Sequence, residues 1–134
     1  MSSEQLYRAF WSHLSQDPSG FRTQVGGRIY HGQAPSSPTY PLAIYNTALP
    51  GVRTTFSAGV QSDYVFRVDV YARRTAGTNK ALAISESLID LLHKSTFSVT
   101  DNGTASCTLT SGGQVLIEDD FYRVTHEFLV QCGP

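Results

Sequence analysis

The sequence predicts an α+β fold: a mixed or mainly antiparallel β-sheet packed against two helices, in the order α-β-β-α-β-β-β-β. Three observations lead there. Apolar residues recur at the helical period in two segments, one near the N-terminus and one in the middle of the chain. Segments 64–72 and 121–132 alternate with the two-residue period of a strand. After the second helical segment, Asn, Asp and Gly divide the remaining apolar residues into short runs, the pattern of an antiparallel meander. At 134 residues the chain matches one domain, 1–134, large enough for an ordinary core.

The elements follow in order. Leu6, Tyr7, Phe10, Trp11 and Leu14 fall on one helical stripe, which reads as an aromatic core face. Ser2 with Gln5 three residues later fits a capping box, and Asp17-Pro18 with Gly20 supplies the stop. Val25-Gly26-Gly27-Arg28-Ile29-Tyr30 has paired glycines, but no strand precedes them and no Lys-Ser/Thr follows. They read as a turn that lets the chain pass close to its neighbours, not as a phosphate loop. Pro35, Pro38 and Pro41 make 31–41 an extended loop that delivers the chain to a short buried strand, Leu42-Ala43-Ile44-Tyr45. From 46 to 63 the pattern weakens to a hairpin loop or an irregular strand. If Arg53 and Phe56 are exposed there, they form a contact arm.

Segment 64–72 is the clearest strand. Tyr64, Phe66, Val68, Val70 and Ala72 share the core face; Val65, Arg67, Asp69 and Tyr71 share the other, a mixture that suits partial covering. Thr78 can cap a helix over 79–94, whose main stripe is Ala81, Ile84, Leu88, Leu91 and Leu92, with Lys94 complementing the dipole at its end. Then come strand 97–100, the hairpin signal Asp101-Asn102-Gly103, strand 105–110, a bend or bulge at Gly112-Gly113, and strand 115–117. The acidic turn Glu118-Asp119-Asp120 precedes the last strand, where Tyr122, Val124, His126, Phe128, Val130 and Cys132 share a face.

Charged residues make up only 16% of the chain, against roughly 25% in typical soluble domains. A surface so poor in Lys and Glu is weakly protected against association, which a subunit of a larger assembly tolerates and a low-charge monomer also shows. A net charge of -1 and a pI near 6.4 argue against nucleic-acid binding, and Arg73-Arg74 reads as a solvated strand end. Neither a secretory leader nor an apolar run of roughly 18 residues is present, so a soluble, cytosolic chain with reduced Cys107 and Cys132 is expected.

Chemistry is not signalled. His13, His31, His93 and His126 lack zinc spacing with one another or with a cysteine. The acidic triplet lacks the calcium-hand spacing and reads as a solvated turn or an electrostatic contact. There is no Gly-x-Ser-x-Gly elbow, and Cys107 has no motif linking it to a base. No catalytic residue, cofactor or metal is expected, and the chain is read as a non-enzyme that works through its surfaces.

The succession of elements carries a resemblance. An amphipathic helix leads to Val25-Gly26-Gly27-Arg28-Ile29-Tyr30 and then to a proline-rich loop ending Tyr40-Pro41-Leu42-Ala43-Ile44. The long strand Tyr64-Val65-Phe66-Arg67-Val68-Asp69-Val70-Tyr71 follows, then a helix and a last strand containing Phe128. In this order the chain resembles the tail-terminator, or tail-completion, family of long-tailed bacteriophages. The resemblance implies a small α+β virion protein that forms a homo-hexameric ring at the head-proximal end of the tail after a cytoplasmic stage. The ring would cap the tail tube, end its polymerisation and join the head-tail connector protein. DNA would pass through without sequence-specific binding, and no membrane is involved. The partners implied are further copies of the chain, the tail tube protein and the connector. The interface residues expected from this reading are Arg28, Tyr30, Arg53, Phe56, Arg67, Asp69 and Tyr71. Rival readings are a head-completion or neck protein, and a small-molecule-binding α+β domain with a pocket between helices and sheet.

Overall fold

The computed structural model describes residues 3–16, 20–56, 59–99 and 103–132, with the side chains of residues 3, 48–56 and 59–62 excepted. Helix α1 (Ser3–Leu14) is followed by a four-residue helix α2 (Phe21–Gln24), then strands β1 (Ile29–His31), β2 (Leu42–Phe56) and β3 (Gly59–Arg73). A 3-10 turn (Arg74–Ala76) leads into helix α3 (Thr78–Leu92), and strands β4 (Ser95–Val99), β5 (Gly103–Glu118) and β6 (Phe121–Cys132) complete the chain. The six strands form one sheet in the order β1-β2-β3-β6-β5-β4. Only β1 runs parallel to its neighbour. This is the α+β fold with a mixed sheet that the sequence predicts.

The alternation in β3 and β6 sets the two faces. Phe66, Val68, Val70 and Ala72 of β3 are buried together with Val124, His126, Phe128, Val130 and Cys132 of β6, and the two rows lie side by side through pairs such as Phe66 with Phe128. Helix α3 covers part of this face with Ala81, Ile84, Ser85, Leu88, Leu91 and Leu92. Helix α1 covers the rest. Its Phe10 ring lies 4.2 Å from that of Phe66 on a central strand, 5.7 Å from Tyr45 on β2 and 6.2 Å from Phe97 on the edge strand β4. One ring can reach β2 and β4, four strands apart in the sheet order, only because the sheet curls around the helix.

Several boundaries differ from the sequence reading, each for a local reason. Strand β2 runs far beyond Tyr45 as one arm of a long hairpin with β3, with register shifts between Thr47 and Val52. Those irregularities, around Pro50-Gly51, broke the alternation that periodicity depends on. The segments 105–110 and 115–117 are one strand, β5. Its register against β6 shifts at Leu109/Ser111 and at Gly112/Gln114, and Gly113 takes a positive φ of 86°. The glycine pair is therefore a bulge, not a strand break. The paired glycines Gly26-Gly27 make the expected turn, both at positive φ, and beyond it the chain adds a parallel edge strand through Ile29, Tyr30 and His31 that the sequence reading leaves out.

Helix α3 starts one residue earlier than expected. Gly77 is its N-cap, without a side-chain capping hydrogen bond, so Thr78 is the first helical residue rather than the cap. The helix ends at Leu92, with Lys94 beyond it at a left-handed φ of 59°. Trp11 is corrected more fully. It was expected in the core, yet 47% of it is exposed, while Leu6, Phe10 and Leu14 are sealed. The helix buries the i, i+4, i+8 line and leaves its neighbour outside. Ser2, Asp17-Pro18 and Asp101-Asn102 lie outside the described residues, although β4 and β5 pair from Val99↔Gly103 on either side of the latter.

Gly112 faces His126 across the β5–β6 pair. A Cβ there would sit 3.1 Å from His126 Cδ2 and 3.2 Å from Leu109 Cδ1. Gly112→Val is therefore expected to overpack the inner face and destabilise the protein by about 1–3 kcal/mol, seen as a lower midpoint in urea unfolding. An unchanged midpoint would contradict the tight packing of this ladder.

Candidate assembly surfaces

All three helices lie on the concave side, so among the described residues no helix covers the opposite face, although Leu42 and Asp69 on it are buried. The strand registers place the candidate residues on it. Tyr30 of β1 pairs with Ile44, Ile44 with Asp69, and Asp69 with Thr125, giving one row across four strands. In the adjoining rows Arg67 pairs with Asn46 and Glu127, and Tyr71 pairs with Leu42 and Arg123. Four of the seven candidate residues, Tyr30, Arg67, Asp69 and Tyr71, thus share one surface because each sits an even number of positions from its strand neighbours.

Charge and burial on this face are organised. Arg67 Nε donates to Asp69 Oδ1 at 3.1 Å, with the Asp69 side chain 9% and the Arg67 side chain 39% exposed. Solvent screening of the exposed guanidinium limits the pair to on the order of 1 kcal/mol. Arg123 pairs with Glu118 at 2.9 Å and hydrogen-bonds Tyr71. Burial pushes the Tyr71 hydroxyl above its ordinary pKa, against the opposing pull of that Arg123 bond, so the phenol stays protonated. At the end of the face the Tyr40, Phe121 and Tyr71 rings pack in sequence, and the Arg73 guanidinium lies 5.0 Å from the Tyr40 ring centre. Beside them Arg67, Gln114, Leu116, Thr125 and Glu127 line a polar groove of about 400 Å³. Arg123 Nε and Thr125 Oγ1 are buried here without a hydrogen-bond partner.

The other three candidates lie elsewhere. Arg28 is half-buried just before β1, where its Nε donates to the Pro41 carbonyl at 2.9 Å and ties the glycine turn to the start of β2. Arg53 and Phe56 belong to the far part of the β2–β3 hairpin, Arg53 level with the last β3–β6 pair at Ser62↔Cys132 and Phe56 beyond it, and their side chains lie outside the described residues.

A second surface was missed by sequence reading. Tyr7, Trp11 and the rim residues Glu4, Arg8 and Ser12 of α1 face His31 of β1 and Tyr45 of β2 across an apolar groove of about 660 Å³. The His31 ring stacks 5.0 Å from Tyr45 and packs 4.8 Å from Tyr7, whose hydroxyl bonds Thr47 Oγ1. The signal was present in Trp11, but a stripe of five apolar residues does not show which of them the fold leaves uncovered.

Among the described residues, no group of three or more His, Cys, Asp or Glu could hold a metal ion, and no helix is long and apolar enough to cross a membrane. Cys107 and Cys132 are free and buried, their thiols pushed up to about 12 and about 11 by burial. A nucleophilic thiol needs the opposite shift.

The structure is similar to a chain in the virion of a native gene transfer agent particle, with a TM-score of 0.76 and 17% identity, covering 96% of this chain and 95% of that one. A second solved protein without a functional description matches with a TM-score of 0.69 and 20% identity over 98% and 96% of the two chains. No curated protein matches the sequence. The family model described as tail completion protein gp17 matches residues 8–130. The chain belongs to the tail completion protein gp17 family, structural components of the bacteriophage virion.

Proposed function

We propose that this protein assembles as a ring on the head-proximal end of the tail tube, ends tube polymerisation and joins the tail to the head connector, with DNA passing through its lumen. One observation supports this most: the uncovered sheet face, where paired charges sit among half-buried Tyr30, Val65, Tyr71 and Leu129. Interfaces between copies that rotate into a closed ring need two different surfaces on each subunit. The open sheet face and the α1 groove are two such surfaces. The similarity to a virion chain and a charged fraction of only 16% are in keeping with a subunit that works inside an assembly. In this reading the chain resides in the cytoplasm until it docks on a tube.

The test is native mass spectrometry of the purified chain, alone and with tail tubes, together with reversal of the central charges. A hexamer, free or on tubes, is expected. Arg67→Glu and Asp69→Arg are each expected to reduce infectious particles at least about tenfold, with partial recovery when combined. A chain that stays monomeric in both conditions would remove the ring. Intact particle yield from both single reversals would remove the sheet face as a contact.

A further inference from the structure

Two large hydrophobic side chains are exposed among the described residues, Trp11 at 47% and Ile117 at 65%. They differ in form. Trp11 lines a groove, whereas Ile117 projects near the end of β5, next to the two-residue turn Asp119-Asp120 that joins Glu118 to Phe121. That turn is held rigidly from below: Arg74 Nη1 donates to the Asp119 carbonyl at 3.2 Å and the Arg74 amide donates to the Asp120 carbonyl at 2.9 Å. These bonds use backbone oxygens. The Asp119 and Asp120 side chains are exposed, and neither is in an ion pair among the described residues.

The groove has the matching charge. Arg8 stands on its rim, paired among the described residues with Glu4 one turn away on the same helix, with both side chains more than 70% exposed. So exposed a pair is readily exchanged for another carboxylate. Within one chain the two features cannot meet. Ile117 is level with Tyr122 and Ala72, whereas α1 touches β3 at Phe66, six residues and about 20 Å further along the strand. The groove's own strand residue, Tyr45, is level with Val68, four residues from Ala72 and three strands away from β5, and Phe97 is level with Cys132, further still.

We propose that the β5–β6 turn of one copy docks in the α1 groove of the next, with Ile117 anchored against Trp11 and Tyr7 and the Asp119-Asp120 carboxylates facing Arg8. The contact joins two different patches of the same chain, so it propagates from copy to copy and closes when the rotation closes. It rests on the ring reading above, keeps the α1 groove as one of its two surfaces and makes the β5–β6 turn the patch that fills it. An aliphatic knob on a rigid hairpin entering an aromatic-lined groove, with charges at the edge, has the anatomy of an apolar interface core with a polar rim.

The test pairs cysteines across the predicted contact. Cys107 and Cys132 are 0% and 4% exposed, so they stay silent and a chain carrying Trp11→Cys can be mixed with one carrying Ile117→Cys on tail tubes. Under mild oxidation a disulfide-linked dimer is expected only in the mixture, and a ladder of multimers from the double variant. Trp11→Ala and Ile117→Ser, both at exposed positions and checked for fold by circular dichroism, are expected to weaken self-association at least about thirtyfold, as for an interface anchor. Joint replacement D119K/D120K is expected to weaken it too, and R8E to restore it. Rings on tubes with no 11–117 cross-link would overturn this contact and leave the ring reading standing. Cross-linking of position 11 to the tube protein alone would also overturn it, assigning the groove to the tube. Absence of any oligomer on tubes would take down both.

Discussion

Replacing Phe10 with alanine is expected to destabilise the protein by about 3–5 kcal/mol, the range for emptying a buried aromatic site. That is a large share of the roughly 5–15 kcal/mol that holds a domain of this size together. With a slope of about 2 kcal/mol per molar urea, the midpoint should fall by about 2 M. The size of the effect follows from position. Phe10 is fully buried and its ring meets Tyr45, Phe66 and Phe97, so one side chain ties α1 to both flanks of the curled sheet. Trp11 is the internal control. It adjoins Phe10 and is larger, yet it is half exposed, and Trp11→Ala should cost no more than about 1 kcal/mol in the isolated chain. If the two substitutions cost the same, α1 does not sit under the sheet as described.

Acid should loosen the fold well before the carboxylates titrate. His126 is fully buried: its Nδ1–H donates to the Val68 carbonyl at 3.0 Å, and its Nε2 accepts from the Ser85 hydroxyl at 2.6 Å, linking β6 to β3 and to α3. His13, 8% exposed, bonds Ser95 Oγ at 3.0 Å and stacks on Phe97. Burial holds both imidazoles below their ordinary pKa. For His126 the Val68 carbonyl and the Asp69 charge pull weakly the other way, and for His13 a bond with Gln16 does. The unfolded chain therefore takes up protons that the folded one refuses. Stability is complete above the unfolded imidazole value of about 6.5 and falls as pH drops through it, until the lowered folded values are reached. Each histidine contributes a slope of at most about 1.4 kcal/mol per pH unit. Unfolding free energies measured between about pH 7 and pH 5 should show this loss, and His126→Leu should flatten the slope by roughly half. A flat profile for the parent chain would show that these rings are protonated in the fold.

Much of this was legible in the residues. The two-residue period of β3 and β6 gave the inner and outer faces correctly, because a strand's side chains must alternate whatever surrounds it. The stripe of α3 was read for the same kind of reason, down to Ala81, Ile84, Leu88, Leu91 and Leu92. Bulges defeated the method. Extra residues just before Ser111 and at Gly113 shift the phase and then restore it, so one strand looks like two, and Pro50-Gly51 hides most of β2. The outer face was half legible: Arg67, Asp69 and Tyr71 share a strand and declare themselves together. Their partners Arg123, Thr125 and Glu127 come into place through register, which no local pattern contains. Family order, rather than any motif, pointed to the tail-completion role.

The strand order has a consequence in time. β6 is the last strand along the chain, yet it lies between β3 and β5 and pairs with both over nearly its whole length. Until it arrives, the β1–β3 and β4–β5 halves have no shared ladder, and Phe97 has no curled sheet to close over Phe10. Such non-local closure makes folding a late, concerted event rather than a stepwise one. The Asp69–Thr125 row and the Ile117 knob also depend on β6, so an incomplete chain has no finished surface to offer. If the protein ends tube growth as proposed above, the arrangement keeps half-made copies from competing for the tip.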